Sequence, residues 1–200
     1  MKDNSQPRMW TTRKYDRVSK YYDLMMKFLV PVGEKGRKQI VEKLKTGSIL
    51  DVACGTGTLL VMASEKGLSC YGLDLSQGML NQAKSKVPKA EFKKASFYGI
   101  PYPDGSFDYV VATNALSGGY IDAKKVIAEM IRVCKRGGEI YLAEWPKASE
   151  DNLMERLFVK LASFTDDAPK DYLKIFRELG YEPDIDILSQ RYHVFSIKKS

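Results

Sequence analysis

Two short segments combine glycines and carboxylates in a pattern suited to binding a nucleoside. Residues 49–57 run from an apolar stretch into Cys54-Gly55-Thr56-Gly57, and a second apolar stretch ends on Asp74. Glycine lets the backbone turn sharply and approach a ligand without a Cβ atom in the way. The helix that follows offers free N–H groups, and an acid about 20 residues on accepts hydrogen bonds from ribose hydroxyls. The spacing therefore predicts a nucleoside-binding crevice. The alternative is an ordinary turn, with Asp74 as a helix N-cap.

The glycine pattern also separates the classes of nucleotide. A dinucleotide-binding turn needs a third glycine in G-x-G-x-x-G for close packing of the helix. Here Gly57 is followed by Thr58, Leu59 and Leu60, so the third glycine is absent. A Walker loop needs Gly-Lys-Ser/Thr, and the sequence has no such tripeptide. Both the NAD and the ATP interpretations are therefore disfavoured.

The elements that must position these residues alternate along the chain. The pattern predicts strands at 48–53, 69–74, 90–95, 107–113 and 138–144, with helices at 57–66, 77–86 and 122–135. The last of these helices is expected to stop at Gly137-Gly138. Strands separated by helices favour a parallel sheet covered on both faces. A helix at 168–180 precedes strands at 183–189 and 192–198, which are joined too tightly for a crossover and must pair as an antiparallel hairpin.

Length and composition predict one domain of 200 residues with a full hydrophobic core. Within it we expect a helical cap at 1–46, a cofactor-binding core at 47–145, and substrate-side helices with the hairpin at 146–200. No apolar run approaches the ~20 residues that span a bilayer, and the start lacks a signal-peptide core, so a cytoplasmic location is expected. The cysteines are odd in number and form no CxxC pair, so we expect them reduced and buried, with no metal site.

The positive charge of the chain lies in its first quarter. Residues 1–50 contain 12 Lys/Arg and 5 Asp/Glu, a balance of +7 that equals the net charge of the whole chain. The basic face of the first helix comprises Arg13, Lys14, Arg17 and Lys20. Such an arm suits nucleic acid, an anionic membrane or an acidic substrate. The alternative is a solvated surface with no partner.

Several segments together resemble the class I S-adenosylmethionine-dependent methyltransferases. The matching segments are 51–57 for the first motif, Asp74 for the ribose-binding acid, 100–108 for the entry into the fourth strand and 132–140 for the turn into the fifth. Upstream, 15–23 resembles the opening helix of the branch (methyltransferase type 11) that contains ubiquinone and menaquinone C-methyltransferases. The resemblance implies a Rossmann-like, doubly wound sheet of seven mostly parallel strands, with an antiparallel C-terminal hairpin and N-terminal helices.

The resemblance also implies which residues contact the cofactor, S-adenosyl-L-methionine, and its product S-adenosyl-L-homocysteine. They are Tyr22, Asp51, Ala53, Cys54, Gly55, Gly57, Asp74, Leu75, Met79, Ser96, Phe97 and Asn114. Two positions depart from the family pattern. Ala53 stands where glycine is common, and Ser96 stands where an acid usually contacts the adenine amino group. A serine hydroxyl hydrogen-bonds without charge, so adenine recognition is expected to use backbone groups and packing by Phe97.

The residues that would promote methyl transfer are less defined. Tyr22 and Asn114 are candidates, since an aromatic face favours a sulfonium cation and Asn114 follows the fourth strand. The alternatives are packing for Tyr22, on a helical face shared with Val18, Met25 and Leu29, and a helix cap for Asn114. The single histidine, His193, is more often structural in such a setting. Any base is then an Asp, a Glu or a Tyr.

The acceptor side is predicted to be apolar. Met154, Leu157, Phe158 and Leu161 form a stripe at helical spacing after the fifth strand, and it either roofs an acceptor pocket or packs into the core. With Met25, Met26 and Phe28, it favours a small, lipophilic acceptor: a quinone precursor, an amino lipid or a small amine. The basic helix allows peripheral contact with an anionic membrane. A nucleic-acid methyltransferase is an alternative disfavoured by the absence of an Asn-Pro-Pro-Tyr motif or a catalytic Pro-Cys. A further alternative is a non-catalytic, cofactor-binding partner subunit.

Overall fold

Seven strands form one mixed sheet with helices on both faces. This computed structural model describes residues 9–24, 31–118, 120–145, 170–189 and 192–200. The helices are α1 (Met9–Val18), α2 (Pro31–Lys43), α3 (Thr58–Glu65), α4 (Gln77–Lys86), α5 (Ala123–Val133) and α6 (Tyr172–Glu178). The strands are β1 (Ser48–Val52), β2 (Ser69–Asp74), β3 (Glu91–Lys94), β4 (Phe107–Thr113), β5 (Cys134–Glu144), β6 (Asp184–Ser189) and β7 (Tyr192–Lys198). None of the helices among these residues is long and apolar enough to cross a membrane.

The order of the strands creates a crevice above the first strand. The sheet runs β3-β2-β1-β4-β5-β7-β6, with β1 to β5 parallel and the β6–β7 hairpin antiparallel. From β1 the chain winds first towards β3 and then returns to start β4 on the other side. Loops therefore leave β1 and β4 in opposite directions at the carboxyl edge, which is where doubly wound sheets bind their ligands. The predicted seven-stranded, doubly wound architecture with its antiparallel hairpin is confirmed.

Each face of the sheet has its own hydrophobic core, because side chains alternate along a strand. Ile49 of β1 packs with Ile40 of α2 and Leu60 of α3. Its neighbour Leu50 belongs to the opposite core, with Ile127 of α5. Both strand residues are fully buried. The central strands are thus clamped from both sides, and their carboxyl ends are held rigidly where the crevice lies.

Two predictions of local structure were wrong. The helix predicted at 122–135 ends at Val133, and Cys134 already belongs to β5. Gly137 lies inside that long strand with φ 76°, so the glycine pair permits an irregular turn of the strand rather than ending the helix. The shared helical face of Val18 and Tyr22 is interrupted, because α1 ends at Val18 and residues 19–21 form a turn.

The predictions for the cysteines and for most strands were accurate. Cys54, Cys70 and Cys134 are all buried free thiols. Strands β2, β4 and β7 begin and end at the predicted residues, and the others differ by one or two residues apart from the early start of β5. Burial raises the pKa of the Cys70 thiol to about 11 and that of Cys134 to about 12, so both stay protonated and unreactive.

One arginine ties the segment before β4 to the end of α5. Arg132 donates from Nη2 to the carbonyl of Ile100 and from Nη1 to the carbonyl of Tyr102, at 2.9 Å each. Nη1 also pairs with the Asp104 carboxylate at 2.8 Å. The rigid fork of a guanidinium suits this set of acceptors, which a flexible ammonium cannot reproduce. Arg132 therefore anchors the loop that leads into a central strand.

Replacing Arg132 by alanine should destabilise the fold. The loss of charge-assisted bonds to two carbonyls predicts a drop in the free energy of unfolding of about 2–3 kcal/mol, measured by urea denaturation. The matched control is Arg177→Ala. Arg177 also forms a double hydrogen bond, to Glu182, but the pair is solvent-exposed and its loss should leave stability nearly unchanged. Equal effects of the two substitutions would refute an anchoring role for Arg132.

Candidate functional site

The loop between β1 and α3 is built from glycines in the left-handed region. Gly55 has φ 53° and Gly57 has φ 76°, conformations that L side chains rarely adopt. A Cβ atom on Gly57 would lie 2.9 Å from the Cβ of Ala83, so this glycine lets α4 pack closely. A Cβ atom on Gly55 would meet nothing within 4 Å. The backbone at Gly55 therefore borders open space, which fits close approach of a ligand.

Asp74 joins this loop to the end of β2. Its Oδ2 accepts a hydrogen bond from the N–H of Gly55 at 2.9 Å, and its Oδ1 accepts one from the N–H of Ser76 at 2.8 Å. Burial raises the pKa of Asp74 although these bonds oppose the shift. The N-cap of α4 is Ser76, whose hydroxyl accepts from the N–H of Met79. The interpretation of Asp74 as a helix cap is therefore wrong.

Asp51 lies buried beneath the same loop. The residue is 2% exposed, and its Oδ1 has no hydrogen-bond partner among the described residues. Burial raises the pKa of Asp51 to about 8, with Arg37 of α2 opposing the shift and Asp74 adding to it. An acid that lies buried and incompletely bonded at the end of a central strand is typical of a binding site.

Two residues beside the crevice hold strained backbone conformations. Ala53 has φ 58° and Asn114 has φ 53°, and they follow the adjacent strands β1 and β4. Asn114 donates its N–H to the carbonyl of Ala143 at 2.9 Å. The helix-cap interpretation of Asn114 is wrong, because the N-cap of α5 is Asp122. Non-glycine residues in this region cluster at functional sites.

The residues assigned to the adenine side lie together along β2, α4 and the end of β3. Leu75 is partly buried, and Met79 is 2% exposed. The Ser96 hydroxyl accepts from the N–H of Tyr98 at 3.2 Å, which leaves its own proton for a further acceptor. The Phe97 ring packs edge-on against the Tyr98 ring, with centroids 4.8 Å apart. This geometry is compatible with the predicted use of packing rather than a carboxylate.

The N-terminal segment folds over the glycine loop through two aspartates. Asp16 accepts from the Ser76 hydroxyl at 2.6 Å and from the N–H of Gly78 at 2.9 Å. Asp23 accepts from the Thr56 hydroxyl and from the Lys86 ammonium. Hydrogen bonds lower the pKa of Asp16, led by that from Ser76, and bonds to Lys86 and Thr56 outweigh burial to lower the pKa of Asp23. Both carboxylates are thus charged at neutral pH, and they join the first quarter of the chain to the site.

Of the remaining candidates, the structure describes Tyr22 and His193. Tyr22 is partly buried in the segment that Asp23 anchors, with its ring 6.1 Å from that of Tyr15. His193 lies in β7, where burial lowers its pKa and its ring contacts Phe195. This setting supports the structural interpretation of His193. The stripe at 154–161 and the side chains of Met25, Met26, Phe28 and Leu29 lie outside the described residues.

Sequence reasoning missed four functional candidates: Arg37, Asp16, Asp23 and Glu144. Asp16 and Asp23 both lie in the segment that resembles the family's opening helix, and that resemblance was their only signal in the sequence. Glu144 ends β5 and is fully buried, with Oε1 accepting the N–H groups of Ala115 and Leu116. A glutamate at the end of an apolar strand was its only signal. No signal in the sequence marked Arg37.

A family model described as a methyltransferase domain matches residues 49–138. The chain belongs to the class I S-adenosylmethionine-dependent methyltransferases. The demethylmenaquinone methyltransferase of Renibacterium salmoninarum is 32% identical over 149 residues, which cover 71% of this chain and 62% of that protein. The chain thus spans about three fifths of that relative's length. The demethylmenaquinone methyltransferase of Paenarthrobacter aurescens is 29% identical, covering 88% of this chain and 74% of that protein.

A solved structure shows the same fold. The S-adenosylmethionine-dependent methyltransferase of Thermotoga maritima, described as a possible histamine N-methyltransferase, superposes with a TM-score of 0.72. It is 16% identical and covers 96% of this chain and all of its own. At that identity the likeness concerns the fold and not the acceptor.

The residues present fit the family's cofactor. The orphaned Oδ1 of Asp51 can accept from an ammonium group, and the Asp74 carboxylate can accept from ribose hydroxyls. The open space beside Gly55 leaves room for the ligand between them. Acceptors suited to the amino group and to the ribose of S-adenosylmethionine thus lie at the carboxyl ends of the adjacent strands β1 and β2.

Ala53→Gly should stabilise the protein. The left-handed conformation costs an L residue about 1 kcal/mol, and glycine adopts it freely, so the free energy of unfolding should rise by about that amount. The control Ala128→Gly, in the exposed interior of α5, should lower stability by about 1 kcal/mol. Chemical denaturation of both variants measures the contrast. A loss of stability in Ala53→Gly would show that the strain is absent in solution.

Proposed function

We propose that this protein transfers the methyl group of S-adenosylmethionine to a small, lipophilic acceptor, with quinone precursors as the favoured class. The observation that carries the proposal is the 2.9 Å hydrogen bond between the N–H of Gly55 and the Asp74 carboxylate, which places an acid suited to ribose hydroxyls beside the glycine loop. The curated relatives named above act on demethylmenaquinone, which favours an aromatic ring as acceptor. Amino lipids and small amines are the competing acceptors.

The protein's own contribution is to orient the reactants and to exclude water. When bound, S-adenosylmethionine supplies an electrophilic methyl group on a sulfonium. Asp74 would hold the ribose hydroxyls, Asp51 would face the amino group, and Phe97 with Leu75 would pack on the adenine. The segment joined to the site by Asp16 and Asp23 would cover the crevice.

Residues other than those that bind the cofactor determine which acceptor is methylated. A ring carbon or hydroxyl nucleophile needs a proton removed, whereas a neutral amine does not. His193 is partly buried and its ring contacts that of Phe195, so it is poorly placed to act as the base. The carboxyl ends of β4 and β5, where Asn114 and Glu144 lie, form the side of the crevice away from β2 and β3. An acceptor would therefore enter above these two strands.

Asp74→Ala should weaken binding of S-adenosylhomocysteine. Losing hydrogen bonds worth about 1–3 kcal/mol predicts a dissociation constant about 5- to 150-fold higher in titration calorimetry. Asp184→Ala removes the same charge from the exposed edge strand β6 and should leave the affinity unchanged.

A screen with radiolabelled cofactor should place label on quinone precursors rather than on amino lipids or amines. Unchanged affinity of Asp74→Ala contradicts the site, and label confined to amines contradicts the acceptor class.

Cofactor binding should release a proton from Asp51. With a pKa of about 8, the acid is mainly protonated at pH 7 in the free protein. A cationic amino group placed against it favours the ionised form, so binding lowers that pKa and affinity rises with pH between about 6 and 8. Calorimetry at pH 7 in buffers of different ionisation enthalpy should detect this proton. In Asp51→Asn the release should disappear, and a wild-type heat independent of buffer would argue against contact with Asp51.

A further inference from the structure

The last residue of β5 forms hydrogen bonds to the turn that follows β4. Glu144 is 0% exposed, and its Oε1 accepts hydrogen bonds from the N–H groups of Ala115 and Leu116, the latter at 2.6 Å. The β4–β5 ladder ends at the pair Thr113–Ala143, so these two N–H groups lie beyond the sheet and have no strand partner. Buried N–H groups need an acceptor. The carboxylate of Glu144 supplies it for both of them.

The turn held in this way presents Asn114 at the crevice. Asn114 has φ 53°, a conformation that costs free energy and that persists only where its surroundings enforce it. Its N–H bonds to the carbonyl of Ala143 on one side, and Glu144 holds the next two N–H groups on the other. Lys170 closes the same turn by donating to the carbonyls of Leu116 and Gly118, at 2.6 Å each. The N–H groups of three consecutive residues, 114–116, are therefore held by Ala143 and Glu144 at the end of β5.

A neutral side chain would satisfy these N–H groups as well as a carboxylate does. An amide oxygen accepts two hydrogen bonds, so the fold alone would be served by glutamine at less desolvation cost. Instead the chain buries a carboxyl whose Oε2 has no hydrogen-bond partner among the described residues. A buried and incompletely bonded acid beside a crevice favours a functional role over a purely structural one.

We propose that Glu144 is a positioning residue for methyl transfer, whose ionised carboxylate clamps the Asn114–Leu116 turn in the geometry that the acceptor side of the crevice requires. This inference rests on the proposed methyltransferase function and goes beyond it, because it assigns the order of that turn to the charge state of one buried side chain. The charged form bonds N–H groups about twice as strongly as a neutral one does. Protonation therefore loosens the turn.

The clamp titrates in an accessible range of pH. Burial raises the pKa of Glu144 to about 7, while the bonds from Leu116 and Ala115 and the charge of Lys170 oppose the shift. The ionisable groups around it in the described part of the chain are Lys170, Tyr192 and His193, the last lying opposite in the β5–β7 register. Burial keeps the pKa of Tyr192 well above neutrality and lowers that of His193. His193 is therefore the one neighbour whose titration must be separated from that of Glu144.

The first test measures the clamp without turnover. Amide proton shifts of Ala115 and Leu116 in the ligand-free protein should titrate together with a midpoint near pH 7. In Glu144→Gln both shifts should be flat between pH 6 and 8, and in His193→Asn they should titrate as in the wild type. The control Glu139→Gln, at the other end of the same parallel ladder, should change neither shift. Flat wild-type shifts, or titration that is lost in His193→Asn, would overturn the assignment.

The second test measures transfer to whichever acceptor takes up label. The wild-type kcat should fall about tenfold from pH 8 to pH 6, as the ionised fraction falls for a group titrating near pH 7. Glu144→Gln should change less than twofold over the same range, with affinity for S-adenosylhomocysteine within twofold of wild type. Glu144→Ala should lower kcat at pH 8 at least tenfold, and if it does not fold, the Glu144→Gln profile decides. A wild-type profile in Glu144→Gln refutes the proposal. Absence of any labelled acceptor refutes the proposed function instead, and the amide titration still tests the clamp.

Discussion

The hydrogen bond between the Asp74 carboxylate and the N–H of Gly55 is the contact on which the site depends. It joins the turn after β1 to the end of β2, and the second oxygen of the same carboxylate holds the N–H of Ser76 at the start of α4. One side chain thus sets the relative position of two turns and a helix. The parallel β1–β2 pair makes this possible, because it places both carboxyl ends at the same edge of the sheet.

The pKa values of acids shift in opposite directions at the two edges of the sheet. At the carboxyl edge, burial raises the pKa values of Asp51, Asp74 and Glu144. At the amino edge, Asp108 accepts from Ser48 and pairs with Lys135, contacts that outweigh burial and lower its pKa to about 2. Asp108 therefore stabilises the fold at neutral pH, and its contribution is lost only as the pH falls from about 4 towards 2.

The acids at the carboxyl edge have the reverse effect on stability. A carboxyl with a raised pKa favours the folded state only while it is protonated, so it costs stability as the pH rises. The protein retains three of them next to backbone at Ala53 and Asn114 that is itself strained. The buried acids and the strained backbone both lower stability, and both lie at the carboxyl edge of the sheet. Such features are typical of a binding site, where the rest of the structure compensates for their cost.

The sequence alone determined the elements and the class of ligand. Alternation of apolar residues is a local property, so β2, β4 and β7 were predicted at their observed bounds, and the Gly55, Gly57 and Asp74 spacing predicted the nucleoside crevice. The early start of β5 was missed because Cys134 fits the helical spacing of α5, and only its pairing with Phe107 makes it a strand residue.

The tertiary structure alone decided which groups support that crevice. Asp16, Arg37 and Glu144 reach the site from elements distant in sequence, and no local pattern encodes a contact across such a separation. The left-handed backbone of Asn114 likewise depends on β5, which holds the turn through Ala143 and Glu144. Local periodicity thus specifies where the chain turns, whereas the burial and pairing that shift pKa values and strain the backbone arise only once the strands lie side by side.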